Sequence, residues 1–327
     1  MQVLSLIPFD ETYREKLRLL TGERCQLVFG TSSDSREDYL EKLRTAQIIL
    51  GDPDPADLQY CEALQWMQTT WAGVSQYVAC GYLKEGMLCN MTGGYGPVIG
   101  EMMAAAILTL AYRFPAYQKF QQQSFWHAPL IAATLEGATV LILGAGDIGT
   151  ELATRLRPFG CRIIGVRRVP REFPACFDEM ITLDDLAAHL PEADVVACCL
   201  PDTPHTRGLL NLDAMKSMKK DAILVNMGRG SLIVTDDLCQ LLEQGHFHGV
   251  CLDVTDPEPL PPDHPLWQFD RVIITPHVAG NGAGPGSPTE CRIWDLVLDN
   301  LQRYLTGQPC RNIVDFSSGY RKLESGG

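Results

Sequence analysis

The sequence is poor in positive charge, with 27 lysine and arginine residues against 40 aspartate and glutamate residues in a chain of 327. The formal net charge of −13 disfavours nucleic acid and anionic membrane surfaces as partners, because both would be repelled. The first residues, MQVLSLIPFDETYREKL, contain neither a basic leader nor a long apolar segment. We therefore expect no signal peptide, no membrane span and a cytoplasmic location.

The chain also lacks the cysteine spacing that is typical of metal or redox sites. Its twelve cysteines include no C-x-x-C motif and no Cys/His cluster with zinc spacing. The only close pair is Cys198 with Cys199, inside an apolar run. We interpret most of these residues as small core side chains kept reduced in the cytosol, and we expect no metal site.

What the sequence does contain is an alternation of short apolar runs and amphipathic segments, which predicts an α/β fold with room for two domains. The strands expected in the first part are 3–7, 26–29, 48–50, 66–69 and 87–89, and the helices are 11–20 and 37–44. A turn-rich segment, NMTGGYGP, then precedes a long apolar helix predicted over 98–117. Such a helix must be buried between domains or against another subunit.

Four nearly continuous apolar runs follow in the second part, DVVACCL, AILVN, GVCLD and VIIT. Runs of this kind are typical of strands covered on both faces, as in a doubly wound sheet. A last helix is expected from Pro288 to Gly307, and its place after the final strand suggests that the chain crosses back to the first domain. We therefore expect a discontinuous substrate domain, 1–97 with 284–327, into which a Rossmann cofactor domain, 98–283, is inserted.

The stretch from Val140 to Arg168 predicts the dinucleotide site. Four apolar residues run into Gly144, Gly146 and Gly149 in G-x-G-x-x-G spacing, and an amphipathic helix and a second apolar run follow. A strand, glycine turn, helix and strand in this order form the setting in which the pattern binds a dinucleotide. The first glycine permits the tight turn, the second lets the backbone approach a pyrophosphate, and the third lets the helix pack on the sheet.

Arg167 and Arg168 stand where the second strand of this stretch ends. An acid at that place would accept hydrogen bonds from the ribose 2′-OH of NAD, whereas a guanidinium can hold a 2′-phosphate in a charge-assisted pair. We therefore predict NADP(H) as the cofactor. The alternative is a solvated strand end, because arginines are common on surfaces.

Ligands of doubly wound sheets bind beyond the carboxyl ends of the strands, so the residues after each strand are the candidates for chemistry. Three strand ends carry different ionisable groups, Arg229 in VNMGRG, Glu258 in LDVTDPEPL and His277 in ITPHVAG. We expect Arg229 to bind a substrate carboxylate and to polarise the 2-oxo group. We expect His277 to donate a proton as hydride reaches the carbon, and Glu258 to orient His277 and favour its protonated form. Taken singly, the three could instead be a phosphate contact, a solvated loop acid and a structural histidine.

With these pieces in place, the chain resembles the D-isomer-specific 2-hydroxyacid dehydrogenase family over nearly its whole length. The stretches GAGDIG, CLPDTPHTRGLLN, VNMGRGSLI, LDVTDPEPLPPDHPLW and ITPHVAG follow one another in the family's order. The resemblance implies that the family's arginine, acid and acid/base histidine fall on Arg229, Glu258 and His277. It also implies a flavodoxin-like first domain and a homodimer that pairs through the cofactor domains, including the long helix.

The cofactor is expected to contact the glycine turn, the paired arginines and the strand ends. These contacts are Gly144, Gly146, Asp147, Ile148, Arg167, Arg168, Leu200, Pro201, Thr206, Met227, Gly228, Arg229, Asp253, His277 and Gly280.

The resemblance places a substrate-carboxylate loop at Trp71, Ala72, Gly73 and Val74, whose backbone N–H groups would bind the anion together with Arg229. This chain has serine after the valine, where the family usually has aspartate. Trp71 is expected either to cap the substrate and restrict its size or to pack between the domains.

Within the family, the arginine pair resembles the NADPH-preferring glyoxylate and hydroxypyruvate reductases. Glu258 argues against formate oxidation, because formate dehydrogenases have glutamine there. The sequence therefore predicts NADPH-dependent reduction of small 2-oxo acids, such as glyoxylate or hydroxypyruvate, to D-2-hydroxy acids. The alternatives are a reductase of bulkier branched or aromatic 2-oxo acids and a non-catalytic NAD(P)-sensing protein.

Overall fold

The structure, a computed structural model, describes residues 1–7, 11–84, 86–127, 130–168, 173–282, 284, 286–317 and 320–322. The chain forms two compact units. One comprises the described residues of 1–95 and 283–327, and the other comprises those of 96–282. The first unit is therefore discontinuous in sequence.

The first unit is built on a parallel sheet of five strands. These strands are β1 (Gln2–Ser5), β2 (Gln26–Phe29), β3 (Ile48–Leu50), β4 (Trp66–Gln68) and β5 (Leu88–Cys89). The helices among them are α1 (Glu11–Thr21), α2 (Arg36–Thr45) and α3 (Ser75–Ala79). The strand order β2-β1-β3-β4-β5, with parallel pairing throughout, is the flavodoxin-like arrangement.

The second unit begins with two helices, α4 (Gly96–Ala111) and α5 (Phe114–Gln122), and continues into a parallel sheet of seven strands. The strands are β6 (Thr139–Leu143), β7 (Arg162–Val166), β8 (Glu179–Ile181), β9 (Val195–Cys198), β10 (Ile223–Asn226), β11 (Gly249–Leu252) and β12 (Val272–Ile274). The helices are α6 (Asp147–Leu156), α7 (Leu186–His189), α8 (Leu212–Ser217) and α9 (Thr235–Glu243).

The strand order of this second sheet is β12-β11-β10-β9-β6-β7-β8. The order reverses between β6 and β9, and doubly wound sheets bind dinucleotides at such a switch point. The prediction of a Rossmann doubly wound domain is therefore confirmed.

The C-terminal part of the chain returns to the first unit. Helix α10 (Pro288–Leu305) buries Trp294 in the same cluster as Val3 of β1. The strands β13 (Val314–Asp315) and β14 (Tyr320–Arg321) then pair as a short antiparallel ladder. The predicted return of the last helix to the first unit is thus observed.

Both sheets are covered on both faces, because successive side chains of a strand point to opposite sides. In β1, Val3 lies in one buried cluster and Leu4 in another. In β6, Val140 and Leu141 likewise lie in different clusters. This two-sided burial explains why the strands read as continuous apolar runs rather than as alternating patterns.

The prediction of a single helix over 98–117 is wrong. Two separate helices, α4 and α5, cover this range, and the bend between them is 63°. Arg113 between them has a φ of +58°, in the left-handed region. Pro115 lies in the first turn of α5, where its missing N–H costs no intrahelical bond. The sequence also gave no signal for β8, a three-residue strand at the edge of the sheet.

Among the described residues, no single helix is long and apolar enough to cross a membrane. Helices α4 and α5 reach the length and apolar composition of a membrane span only when they are counted as one segment.

Candidate active site

The three glycines of the turn between β6 and α6 are required for different reasons. Gly144 has a φ of +107°, and a Cβ there would lie 3.0 Å from the carbonyl carbon of Cys199. A Cβ on Gly149 would lie 2.2 Å from the carbonyl oxygen of Gly144, so only glycine lets α6 pack this closely. A Cβ on Gly146 would meet no atom of the described chain within 4 Å. Packing against the described chain therefore gives no reason for glycine at 146, and the approach of a pyrophosphate to the N-terminus of α6 stays a prediction.

Asp147 and Ile148 open helix α6, and the Thr150 N–H donates to the carbonyl of Gly146 at 2.9 Å. The Asp147 carboxylate lies against the start of α4, where a Cβ added to Gly96 would be 2.6 Å from its Oδ1. The carboxylate thus faces α4. The backbone N–H groups of the first turn are the groups suited to an anion.

Strand β7 ends beside the glycine turn, because the carbonyl of Val166 accepts the N–H groups of Gly144 and Ala145 at 3.2 and 2.9 Å. Arg167 comes directly after it and is half-buried, and Arg168 is exposed. Within the described part of the chain, the Arg167 guanidinium has no hydrogen-bond or ion-pair partner. A half-buried cation beside a glycine turn and a helix N-terminus is suited to contact an anion.

The loop after β9 is held by its own side chains. The buried Thr206 hydroxyl donates to the carbonyl of Pro201 at 2.7 Å and accepts the Thr203 N–H at 2.9 Å. The carbonyl oxygen of the buried Leu200 lies 2.5 Å from where a Cβ on Gly228 would be. Glycine at 228 therefore lets the loops after β9 and β10 come into contact. The Thr206 hydroxyl makes its hydrogen bonds within its own loop.

Asp202 connects these same two loops, although no sequence pattern singled it out. Its carboxylate accepts the Nε and Nη2 of Arg207 at 2.8 and 2.7 Å and the Ser231 hydroxyl at 2.9 Å. The pKa of Asp202 is lowered mainly by its hydrogen bonds with the Arg207 guanidinium. The ionised Asp202 carboxylate thus connects the loop after β9 to the loop that carries Arg229.

Arg229 follows β10, and the side chain of Asn226 fixes its backbone. Asn226 accepts the Gly228 N–H at 3.0 Å and donates to the Arg229 carbonyl at 2.9 Å, while Arg229 Nη1 donates to the Gly228 carbonyl at 2.7 Å. Burial lowers the pKa of Arg229, and the Glu258 carboxylate opposes this. Because arginine stays charged in proteins, the loop presents a desolvated cation near Glu258.

Gly230 lets the loop of Arg229 approach the loop of Glu258. A Cβ on Gly230 would lie 2.0 Å from the carbonyl oxygen of Thr255, so any side chain there would push the two loops apart. The GRG sequence contains this glycine, but the contact across loops is visible only in three dimensions.

Asp253 ends β11 and organises the turn that carries His277. Its buried carboxylate accepts the Thr275 hydroxyl at 2.6 Å and the N–H groups of Val278 and Ala279, each at 2.9 Å. Its carbonyl accepts the His277 N–H at 2.8 Å. These bonds hold His277 at a φ of +54°, which is uncommon for a residue other than glycine. Asp253 therefore positions His277, and its contact with a cofactor stays a prediction.

His277 and Glu258 are directly paired, with Nδ1 of the imidazole 2.6 Å from Oε1 of the carboxylate. Because Nδ1 is engaged, Nε2 is the nitrogen left for a ligand. Arg229, Glu258 and His277 follow β10, β11 and β12, which are neighbours in the sheet, so the structure brings all three to one edge. Of the other predicted contacts in these loops, Met227 is buried and Gly280 is half-buried.

The predicted substrate-carboxylate loop lies in the first unit, between β4 and α3. The Trp71 side chain is 52% exposed, and Val74 is buried. The Trp71 N–H donates to Thr69 Oγ1 at 2.9 Å, so this N–H is removed from the predicted anion-binding set. Within the described residues, the N–H groups of Ala72 and Gly73 have no acceptor.

The part of the chain that the structure describes contains no group of three or more His, Cys, Asp or Glu side chains that could hold a metal ion. The chemistry-bearing groups at the sheet edge are therefore an arginine, a carboxylate and an imidazole.

Comparisons with known proteins identify relatives of this chain. The profile of the D-isomer specific 2-hydroxyacid dehydrogenase, NAD binding domain, matches residues 104–279. A glyoxylate/hydroxypyruvate reductase A of Serratia proteamaculans is 34% identical over 227 residues, which cover 69% of this chain and 70% of the relative.

Two solved structures extend the likeness to nearly the whole chain. A D-isomer specific 2-hydroxyacid dehydrogenase family protein of Aeromonas salmonicida is 31% identical with a TM-score of 0.82, covering 96% of this chain and 99% of that one. An NADPH-dependent glyoxylate/hydroxypyruvate reductase of Sinorhizobium meliloti, in complex with NADP and sulfate, shares the fold at 23% identity and a TM-score of 0.81, covering 98% and 99%. The chain belongs to the D-isomer-specific 2-hydroxyacid dehydrogenase family, with an NAD-binding domain of Rossmann type.

Proposed function

We propose that the protein reduces small 2-oxo acids, such as glyoxylate or hydroxypyruvate, to D-2-hydroxy acids with NADPH. The observation that carries this proposal is the 2.6 Å contact between His277 Nδ1 and Glu258 Oε1 at the sheet edge that also bears Arg229. The related glyoxylate/hydroxypyruvate reductase A supports the choice of substrate class.

Each residue of the trio has its own role in this reaction. Arg229 pairs with the substrate carboxylate and polarises the carbonyl, since a desolvated guanidinium offers several N–H donors. His277 donates a proton from Nε2 to the carbonyl oxygen, and Glu258 holds the ring through Nδ1. A bound nicotinamide supplies the hydride that reduces the carbonyl carbon. Asp253 holds the turn, so that Nε2 stays in place during the transfer.

The preference for NADPH is assigned to Arg167. Its guanidinium is half-buried after β7 and has no partner among the described residues, so it is available for a 2′-phosphate. The Sinorhizobium meliloti reductase, which is named NADPH-dependent, supports this assignment. Arg168, which is exposed, adds positive charge at the same place.

We also propose that the protein is a homodimer through its cofactor unit. Several large apolar side chains of the link between α4 and α5, of α5 and of the arm after α5 are exposed, namely Tyr112, Phe114, Phe125, Trp126 and Ile131. An open groove beside them is lined by residues of both helices and of the edge strand β12. Large apolar side chains exposed together beside a groove are typical of an interface.

Initial rates on a panel of 2-oxo acids, each with NADPH and with NADH, test the proposal. We expect turnover of glyoxylate or hydroxypyruvate with NADPH. The loss of a phosphate contact costs about tenfold or more in affinity, so NADPH should be the preferred cofactor. A preference for NADH of about tenfold or more would contradict the cofactor assignment. Faster turnover of branched or aromatic acids would favour the bulkier substrate class. Tight NADPH binding without turnover of any acid would favour a sensing protein.

A further inference from the structure

Three successive peptide units of the loop 70–73 are held in place by hydrogen bonds, the first on both of its sides and the next two on one side. In the first unit, the Trp71 N–H donates to Thr69 Oγ1 at 2.9 Å, and the Thr70 carbonyl accepts the Tyr95 hydroxyl at 3.0 Å. In the second, the Trp71 carbonyl accepts the Met91 N–H at 3.0 Å. In the third, the Ala72 carbonyl accepts Asn90 Nδ2 at 2.9 Å.

The direction of the remaining N–H groups follows from peptide geometry. In a trans peptide unit the C=O and the N–H point in opposite directions. The carbonyls of Trp71 and Ala72 both face the segment of Asn90 and Met91, so the N–H groups of Ala72 and Gly73 both point away from it. Two adjacent N–H groups that point to one side form a binding site for a carboxylate oxygen.

Thr69 holds the first of these peptide units in place because a hydrogen bond to Asp52 orients its own hydroxyl. Thr69 is fully buried, and its hydroxyl donates to the carboxylate of Asp52, which leaves its lone pairs to accept the Trp71 N–H. The same carboxylate accepts the hydroxyl and, at 3.0 Å, the N–H of Thr70. Burial raises the pKa of Asp52, and the bonds from Thr69 and Thr70 oppose this by stabilising the ionised form.

We propose that Asp52 and Thr69 are positioning residues for substrate binding, which set the loop so that the N–H groups of Ala72 and Gly73 hold the carboxylate of the 2-oxo acid. This inference rests on the proposed function. Neither residue touches the substrate. Their effect is on the affinity for the acid, because the proton donor and the cofactor contacts belong to the other unit.

The matched substitutions Thr69→Val and Thr70→Val test the proposal. Both remove a hydroxyl that donates to Asp52, but only the Thr69 hydroxyl also accepts the Trp71 N–H. For Thr69→Val we expect the KM for glyoxylate to rise about tenfold, with kcat and the KM for NADPH changed less than about twofold. For Thr70→Val all three constants should stay within about twofold of the wild type.

Two further variants separate positioning from a loss of folding. Thr69→Ser keeps the hydroxyl and should restore the wild-type KM. Tyr95→Phe removes the bond to the Thr70 carbonyl, on the other side of the same peptide unit, and should raise the KM for glyoxylate about threefold. The Tyr95 variant decides the question if Thr69→Val does not fold.

Calorimetric titration of the NADPH-loaded protein with oxalate, an unreactive carboxylate, gives a readout that does not depend on turnover. A weaker affinity for oxalate in Thr69→Val or Tyr95→Phe, but not in Thr70→Val, supports the inference even if the wild type reduces no 2-oxo acid. An active wild type whose variants all keep its KM and its affinity for oxalate overturns the inference and leaves the proposed function standing. A wild type that neither reduces any acid nor binds oxalate overturns both.

Discussion

The carbonyl oxygen of Asp253 accepts the backbone N–H of His277 at 2.8 Å, while the carboxylate of the same aspartate holds the turn through the N–H groups of Val278 and Ala279. Asparagine at 253 would present an NH₂ group to one of these donors. For Asp253→Asn we expect a loss of about 1–3 kcal/mol in the free energy of unfolding, because a buried donor loses its acceptor. We expect kcat to fall about tenfold or more, because the imidazole is no longer held in the productive position.

Urea unfolding and initial rates measure both effects. Asp256→Asn is the matched control, since Asp256 is exposed in the same loop and should change the unfolding free energy by less than about 0.5 kcal/mol. Wild-type stability and kcat in Asp253→Asn would show that the turn does not depend on the carboxylate.

The glycine turn predicts opposite outcomes for two substitutions three residues apart. A Cβ on Gly149 would lie 2.2 Å from a backbone oxygen, so Gly149→Ala should lower the unfolding free energy by about 1–3 kcal/mol. A Cβ on Gly146 would meet no described atom within 4 Å, so Gly146→Ala should keep wild-type stability and weaken NADPH binding about tenfold or more. Thermal unfolding and NADPH fluorescence titration separate the two. Normal NADPH affinity in a stable Gly146→Ala protein would place the pyrophosphate elsewhere.

Arg167→Ala should raise the KM for NADPH by about tenfold or more and leave the KM for NADH within about twofold, because only NADPH carries the 2′-phosphate. Arg162→Ala serves as the control, since Arg162 begins β7, the strand that Arg167 follows, and pairs with Glu179 and Glu192 at 2.6 and 3.0 Å. Steady-state kinetics with both cofactors give the comparison. Equal changes for NADPH and NADH in Arg167→Ala would remove the arginine from cofactor selection.

The homodimer proposal predicts that a charge at the start of α5 disrupts association. Phe114 is 58% exposed beside the groove, so Phe114→Glu should convert the dimer to a monomer in sedimentation equilibrium at micromolar concentration. Phe159→Glu is the control, because Phe159 is 41% exposed in the short helical turn after α6 and lies outside the groove. A Phe114→Glu protein that stays dimeric would require another interface, and a monomeric wild type would reject the dimer.

Local patterns were sufficient to predict the strands other than β8 and the strand-end positions of Arg229, Glu258 and His277. The apolar runs are buried on both faces, so they stand out in the sequence, and Arg229, Glu258 and His277 each follow such a run. Gly160, which follows the short helical turn after α6, has a φ of +75°, a conformation that glycine adopts readily. In each of these cases, the residues that determine the local structure lie within a few positions of the sequence pattern that indicates it.

Contacts between distant segments could not be predicted in this way. Thr69 and Asp52 are ordinary polar residues in sequence, and only the neighbouring ends of β3 and β4 make them partners. Gly230 resembles any loop glycine until Thr255 is placed against it. The break at Arg113 is instead a local signal that was missed, because Pro115 favours the first turn of a new helix over the interior of a long one.

The central claim is that His277 supplies the proton in the reduction of a 2-oxo acid. The most direct measurement compares kcat for glyoxylate and NADPH in the wild type and in His277→Ala, together with NADPH affinity by fluorescence titration. We expect kcat to fall about 10²- to 10⁴-fold, as for the loss of a general acid, with NADPH affinity unchanged within about twofold. A His277→Ala protein that binds NADPH and keeps the wild-type kcat would contradict the assignment of His277 as the proton donor.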